Sequence, residues 1–320
     1  MSVRTAPATP SAPAARPAGP RRLPGRPGRR PGRDRRRSGG RPRTPLLSRA
    51  VANSLLIVVT FYMVAPITWL VVAGTKSTED LFGRPGFEFG EFNLFGNIAA
   101  VWQWDGGAYP RWYLNSVVYS LFGSLAGTFI SMLAGYAFDK YDFRGKEKLF
   151  GFVLAGVLLP ATVMALPMYL LFSKVGLVNT YWAVLIPGLA HPFGVYLARV
   201  FSQGYVPAEV LEAARMDGAG ELRIFFRVAL PMLAPGFVTI FLFSFTTSWN
   251  NFFLPMVMLS DHELYPVTLG LFTWNTVAAQ SPEFYRLAIT GSLLAIVPLI
   301  VAFVMLQRFW RSGLTAGAVK

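Results

Sequence analysis

Seven charged side chains fall between Val206 and Pro231, in VPAEVLEAARMDGAGELRIFFRVALP: Glu209, Glu212, Arg215, Asp217, Glu221, Arg223 and Arg227. They sit in a chain that is 53% hydrophobic and 14% charged, with a mean hydropathy of +0.43. Carboxylates beside alanines suit contact with another surface. The small side chains leave room for close approach, and the acids meet basic or donor groups there. Covalent chemistry is poorly served. The chain has no cysteine, which excludes disulfides, thiolate metal sites and cysteine nucleophiles. It has no GxxxxGK[ST] loop to cradle a nucleotide phosphate. His191 is the one ionisable side chain within the apolar runs. A lone histidine in a proline-rich bend reads as a hydrogen-bonded structural residue, not a proton carrier or a metal site.

The surrounding pattern is that of a membrane protein. Residues 1 to 48 are rich in arginine, proline and glycine. Up to Arg49 they hold fourteen arginines and one acid, Asp34, so nearly all of the formal +14 lies there. Such a stretch cannot bury enough surface to offset chain entropy and is expected to be a disordered cytoplasmic tail. It would fix topology and touch anionic lipid. No folded basic face or aromatic interleaving points to nucleic acid.

Six uncharged runs are long enough to span a bilayer, which takes about 20 residues: Ala50–Thr75, Trp112–Phe138, Leu149–Ser173, Val175–Ala198, Val228–Ser260 and Leu287–Gln307. Pro231 and Pro235 place the start of the fifth span near themselves. The run Leu264–Pro282 is interrupted by Pro266 and Gly270 and reads as an external loop with some structure. Basic connections alternate with basic-poor ones. The tail, the segment Lys140–Lys148, the polar insert and the C-terminus are basic; the segments after the first, third and fifth spans are not. The positive-inside rule then puts both termini and the insert in the cytoplasm. The expected fold is all-α, with six transmembrane helices.

These spans carry little that could drive transport by themselves. Intramembrane acids and bases mark ion and proton relays, and none of the six runs contains Asp, Glu, Lys or Arg. The fourth is broken by Pro187, Gly188, Pro192 and Gly194, as suits backbone facing protein or a water-filled cavity. The fifth contains Thr247, Ser248, Trp249, Asn250 and Asn251. About 15 residues beyond Pro235, Asn250 would lie roughly 22 Å from the cytoplasmic end. Amides, hydroxyls and an indole suit a neutral polyhydroxyl solute; they equally serve as hydrogen bonds between helices.

The insert itself predicts two short helices around a glycine bend. Pro207 suits a first helical residue and Glu209 its positive dipole end. Val210, Ala213 and Ala214 share a face. Gly218 fits the left-handed position after a helix, and a second helix runs from Glu221 toward Val228 and stops near Leu230-Pro231.

At these residues the sequence resembles the permease subunits of ABC importers. Glu212, Ala213, Ala214, Gly218, Leu230 and Pro231 match that family's loop signature, with Val228 where isoleucine is usual. PMYLLFSKVGLVNTYWAVLIP, SWNNFFLPMVML and LQRFWRSGLTAGAVK extend the likeness to carbohydrate permeases of the maltose/multiple-sugar type, in particular the smaller one, over residues 49 to 320. The resemblance implies a type I importer transmembrane domain. It implies that the segment 202–231, including Asp217, is a coupling loop docking on a separate ATPase. It further implies a second permease, an ATPase dimer binding ATP and magnesium, and an extracellular solute-binding protein. This chain would be a translocation subunit in a bacterial cytoplasmic membrane, not an enzyme, and would bind no cofactor. A stand-alone transporter or channel leaves the insert without a role. A membrane-embedded enzyme needs more than His191.

Overall fold

The computed structural model describes residues 46–316. The expected basic tail up to residue 45 and the last four residues lie outside this range. The contact pattern gives two units. The first ends at Leu56 within helix α1 (Leu46–Gly74); the second begins at Ile57 and holds all other described helices.

Among the described residues every regular element is helical. Four helices are long and apolar enough to cross a membrane, or six if each of two bent pairs counts as one span. From Ile57 to Ile67 the side chains of α1 point outward, including Phe61 and Tyr62. Such an apolar face belongs against hydrocarbon or another membrane chain. Short helices α2 (Thr78–Gly83) and α3 (Leu94–Gln103) follow.

Helix α4 (Ala108–Lys140) is the axis of the second unit. One face carries Ser116, Ser120, Ser124, Gly127, Thr128, Ser131 and Gly135, all buried. Small residues let neighbouring backbones come close where no hydrophobic effect drives helices together. A methyl group at Gly135 would meet the Ala198 Cβ at 2.4 Å. That contact seats α4 against α8 (Pro192–Tyr205), which continues the broken fourth span from α7 (Trp182–Leu189).

Prolines account for both bent pairs. Helices α5 (Lys146–Leu158) and α6 (Ala161–Lys174) meet at 105°. The expected span Leu149–Ser173 is bent. Pro160 lacks an N–H and pushes Leu159 out of helical geometry, to φ −80°, ψ 121°. The second bend, 77°, lies at Leu233 before α12 (Ala234–Trp249).

The segment expected to be a partly structured loop is more regular than its sequence suggested. After α13 (Phe253–Met258) the chain makes α14 (Val267–Ala278). Pro266 caps this helix, and Gly270 does not break it. A Cβ at Gly270 would lie 2.0 Å from the Trp112 ring. Glycine is there for a crossing, not a turn. At about 1.5 Å per residue α14 spans only ~18 Å, too short for a bilayer. It packs instead in a buried aromatic cluster of Tyr109, Trp112, Trp249 and Trp274. The Tyr109 hydroxyl donates to the Gly291 carbonyl at 2.7 Å, reaching α15 (Pro282–Ala316).

The segment before α14 makes one short 3-10 turn, His262–Leu264, and α4 bonds its backbone carbonyls. Trp112 Nε1 donates to the His262 carbonyl at 2.8 Å, and Asn115 Nδ2 to the Glu263 and Tyr265 carbonyls at 2.7 and 3.1 Å. The Tyr119 hydroxyl donates to the Leu264 carbonyl at 2.9 Å. Gly270→Ala pushes a methyl group into the Trp112 ring. It is expected to cost about 1–3 kcal/mol and to lower the melting temperature of the purified protein by at least ~2 °C. An unchanged melting curve contradicts this packing.

Candidate functional site: the polar loop and the bend that follows it

The polar insert folds into helix α9 (Ala208–Met216) and helix α10 (Glu221–Ile224) around a tight bend. Pro207, expected as the first helical residue, stands one place earlier, at the cap, with ψ 145°. Its ring sets the extended geometry before the helix, while Glu209 lies in the first turn.

The bend is a glycine-terminated helix end. Gly218 has φ +79°, a region costly for residues with a Cβ. Its N–H donates to the Arg215 carbonyl at 2.9 Å, and the Ala219 N–H donates to the Ala214 carbonyl at 3.0 Å. This pair of bonds satisfies the last carbonyls of α9 and reverses the chain.

Leu211 anchors α9 and is only 2% exposed. It lies in a core cluster with Met132 and Tyr136 of α4, Ala198 of α8, and Ile224 and Phe225 beyond the bend. Ala214 and Ala219 pack on the same cluster. Glu209, Glu212, Ala213, Asp217 and Gly218 are exposed. So are two apolar side chains, Met216 at 88% and Leu222 at 74%. Exposed methionine and leucine among carboxylates describe a contact surface more than a solvated loop.

Polar bonds tie this loop to the end of α4. Lys140 Nζ donates to the Val206 carbonyl at 2.5 Å and pairs with Asp139 Oδ2 at 2.8 Å. The Ser202 hydroxyl donates to the same Asp139 oxygen at 2.6 Å. The Tyr141 hydroxyl donates to Glu221 Oε2 at 2.7 Å, and Arg215 Nε donates to Glu221 Oε1 at 2.8 Å. Burial, and after it the Glu221 carboxylate, holds the Tyr141 phenol above its ordinary range, so it stays a donor.

Leu230 and Pro231 belong to a separate element. After α10 the chain makes one π-helical turn over Phe225–Ala229, in which the Leu230 N–H reaches back to the Phe225 carbonyl. Helix α11 (Leu230–Met232) then leads into the 77° bend. Missing N–H groups at Pro231 and Pro235 interrupt the hydrogen-bond ladder on both sides of Leu233.

The five polar residues at the end of α12 separate. Trp249 is buried, donates Nε1 to the Ala295 carbonyl at 3.1 Å and meets Tyr113 edge-on at 5.7 Å. Asn251 is spent on structure: Oδ1 accepts from the Leu254 N–H at 3.3 Å, and its carbonyl accepts from the Thr268 hydroxyl at 3.0 Å. Ser248 is half-buried, with its carbonyl taking the Asn251 N–H. Thr247 and Asn250 are exposed; Asn250 Nδ2 returns to the Thr246 carbonyl at 2.8 Å. His191 lies between α7 and α8, where its carbonyl accepts from the Ser131 hydroxyl at 3.4 Å.

Sequence reasoning passed over Leu211, Met216, Leu222 and the triplet Asp139, Lys140 and Tyr141. The first three carried a signal: apolar residues in a polar insert must be anchors or contacts. The triplet carried none, because its partners lie more than sixty residues away.

Residues 127–313 match the profile of the family described as binding-protein-dependent transport system inner membrane component. The arabinooligosaccharides transport system permease protein AraQ of Halalkalibacterium halodurans is 32% identical over 88% of this chain and 99% of its own length. The lactose transport system permease protein LacG of Rhizobium radiobacter is 30% identical over 84% of this chain and 96% of its own. A chain of a bacterial ABC transporter involved in import of the acidic polysaccharide alginate superposes with a TM-score of 0.71. That likeness, at 22% identity, covers 82% of this chain and 96% of the other, and it shows a shared fold. The chain belongs to the family of inner-membrane components of binding-protein-dependent transport systems.

Proposed function

We propose that this chain is a membrane-spanning permease subunit of an ATP-driven importer of sugars or oligosaccharides. The loop over residues 202–231 receives the motion of a separate ATPase dimer, which binds ATP and magnesium. This chain supplies no nucleotide site and breaks no covalent bond. A second permease completes the pathway, and an extracellular solute-binding protein delivers the solute. Each bent pair counts as one span; six spans bring both termini to the same side, and the basic segments beside them favour the cytoplasm of a bacterium for the termini and the loop. The sugar class is supported by relatives whose names specify arabinooligosaccharides, lactose and maltodextrin.

The observation that carries this reading is the exposed face of α9 and its bend. Glu212, Ala213, Asp217 and Gly218 stand outward beside exposed Met216 and Leu222, while Leu211 fixes the helix to the core. A push on that face meets an anchored helix, and α10, the π-turn and α11 join it to the bend at Leu233 before α12. Changing the angle at Leu233 would tilt α12 and so open the pathway to one side or the other, a hinge movement carried by interrupted backbone. Of the polar residues at the end of α12, Asn250 and Thr247 remain candidates to line the pathway. Trp249 and Asn251 hold α12 to α15 and to α14.

Two mutational tests follow. Gly218→Pro and Glu212→Lys are expected to abolish uptake, measured with labelled oligosaccharides in cells expressing the whole transporter, while membrane levels stay near wild type. Normal uptake by both variants contradicts a mechanical contact. Trp249→Ala is expected to destabilise the protein by about 3–5 kcal/mol and to lower membrane levels. Asn250→Ala is expected to leave levels unchanged and to alter solute preference. Equal losses of protein in the two variants would move Asn250 to a structural role.

A further inference from the structure

We propose that Asp139, Lys140 and Tyr141 form a clasp that makes α4 and the polar loop move as one body, and that these three are positioning residues for transport. The proposal rests on the reading of that loop as the ATPase contact.

The geometry has an unusual economy. The loop runs from Val206 to Glu221, and these two ends bond to consecutive residues of α4's end. Lys140 holds the Val206 carbonyl at 2.5 Å, and Tyr141 holds Glu221 Oε2 at 2.7 Å. The first bond is part-buried; the second lies at the surface. The Lys140 and Asp139 side chains are only 13% and 11% exposed, and the Ser202 hydroxyl donates to the same Asp139 oxygen that faces Lys140. A nearly buried ammonium is fixed in place because losing any acceptor leaves charge unpaired. At the other end, Arg215 shares the Glu221 carboxylate through both Nε and Nη2, so the last turn of α9 is held through the same acid. Without this clasp α9 would be held to α4 through the Leu211 cluster alone and would rock about it.

What α4 holds at its other end gives the clasp its consequence. Trp112, Asn115 and Tyr119 bond the backbone of residues 262–265. Between those bonds and the clasp lies one continuous helix. A single rigid element therefore touches the polar loop at one end and the segment before α14 at the other. The clasp adds a polar link to the apolar contact that Leu211 makes with Met132 and Tyr136 of α4, and it fixes how far movement imposed at Glu212–Gly218 is passed on to residues 262–265.

The test uses the complete transporter with its ATPase subunit in nanodiscs. The chain has no native cysteine, so spin labels at Ala208→Cys and Leu125→Cys report the loop-to-α4 distance. Both positions are exposed. With the clasp intact, that distance is expected to be the same without nucleotide and with ATP plus orthovanadate. In Lys140→Met/Tyr141→Phe it is expected to shift by more than about 5 Å, a helical turn, while the complex still hydrolyses ATP. Transport per ATP hydrolysed is expected to fall at least about fivefold, and Lys140→Arg is expected to restore most of it. Tyr141→Phe alone removes only a hydroxyl and is expected to give an intermediate shift should the double variant not assemble. A distance that moves with nucleotide in the unmodified clasp overturns the proposal. So does a distance that stays fixed in both variants. If the ATPase subunit co-purifies but does not contact the loop, the reading of the loop fails and takes the clasp with it. Normal contact with an unchanged distance in the variants removes the clasp alone.

Discussion

The close approach of backbones along α4 is the constraint on which the described fold depends. In a bilayer, helices gain nothing from hiding apolar side chains from lipid, so association relies on packing and on hydrogen bonds. Serine, threonine and glycine on one face of α4 allow both. Gly135 admits α8. Ser116 accepts the Val267 N–H at 2.7 Å, and the aromatic residues at the start of α4 close over α14 and α15. A bulkier face would force these helices apart and draw the α4 donors away from the carbonyls of residues 262–265.

Rigidity at this axis contrasts with interrupted geometry elsewhere. Pro160, Pro192, Pro231 and Pro235 lie at or beside breaks between helices. One π-turn separates α10 from α11. Interrupted ladders in a membrane protein must be paired with other protein groups or line water. They also give a chain discrete places at which to bend. The bend nearest the polar loop is at Leu233, at the start of α12. The coupling role proposed above would use this combination of one continuous helix and one jointed one, both in contact with the same exposed loop.

Much of this was legible in the sequence, for local reasons. Apolar runs of sufficient length locate spans because hydrocarbon imposes length and composition. Gly218 announced a left-handed turn, and the exposed acids of α9 announced a surface. The resemblance to importer permeases rested on those same residues, and the family match agrees with it. Less legible were features set by distant neighbours. Gly270 read as a breaker because glycine in isolation is one; only the Trp112 ring crossing it explains the helix. Trp249 and Asn250 are adjacent in sequence yet divide between core and surface, and nothing in their types says which is which. The bend between α5 and α6 could have been inferred from Pro160, but its 105° could not.

The most direct measurement is a proximity experiment at the loop. A single cysteine at Ala213, exposed on α9, can carry a short photocrosslinker in a purified, ATP-hydrolysing complex. The expected result is a crosslink to the ATP-hydrolysing subunit whose yield changes between the nucleotide-free and the vanadate-trapped states. An active complex that gives no such crosslink, or a cysteine labelled by impermeant reagent only from outside the cell, would contradict the claim that force enters this chain at the polar loop.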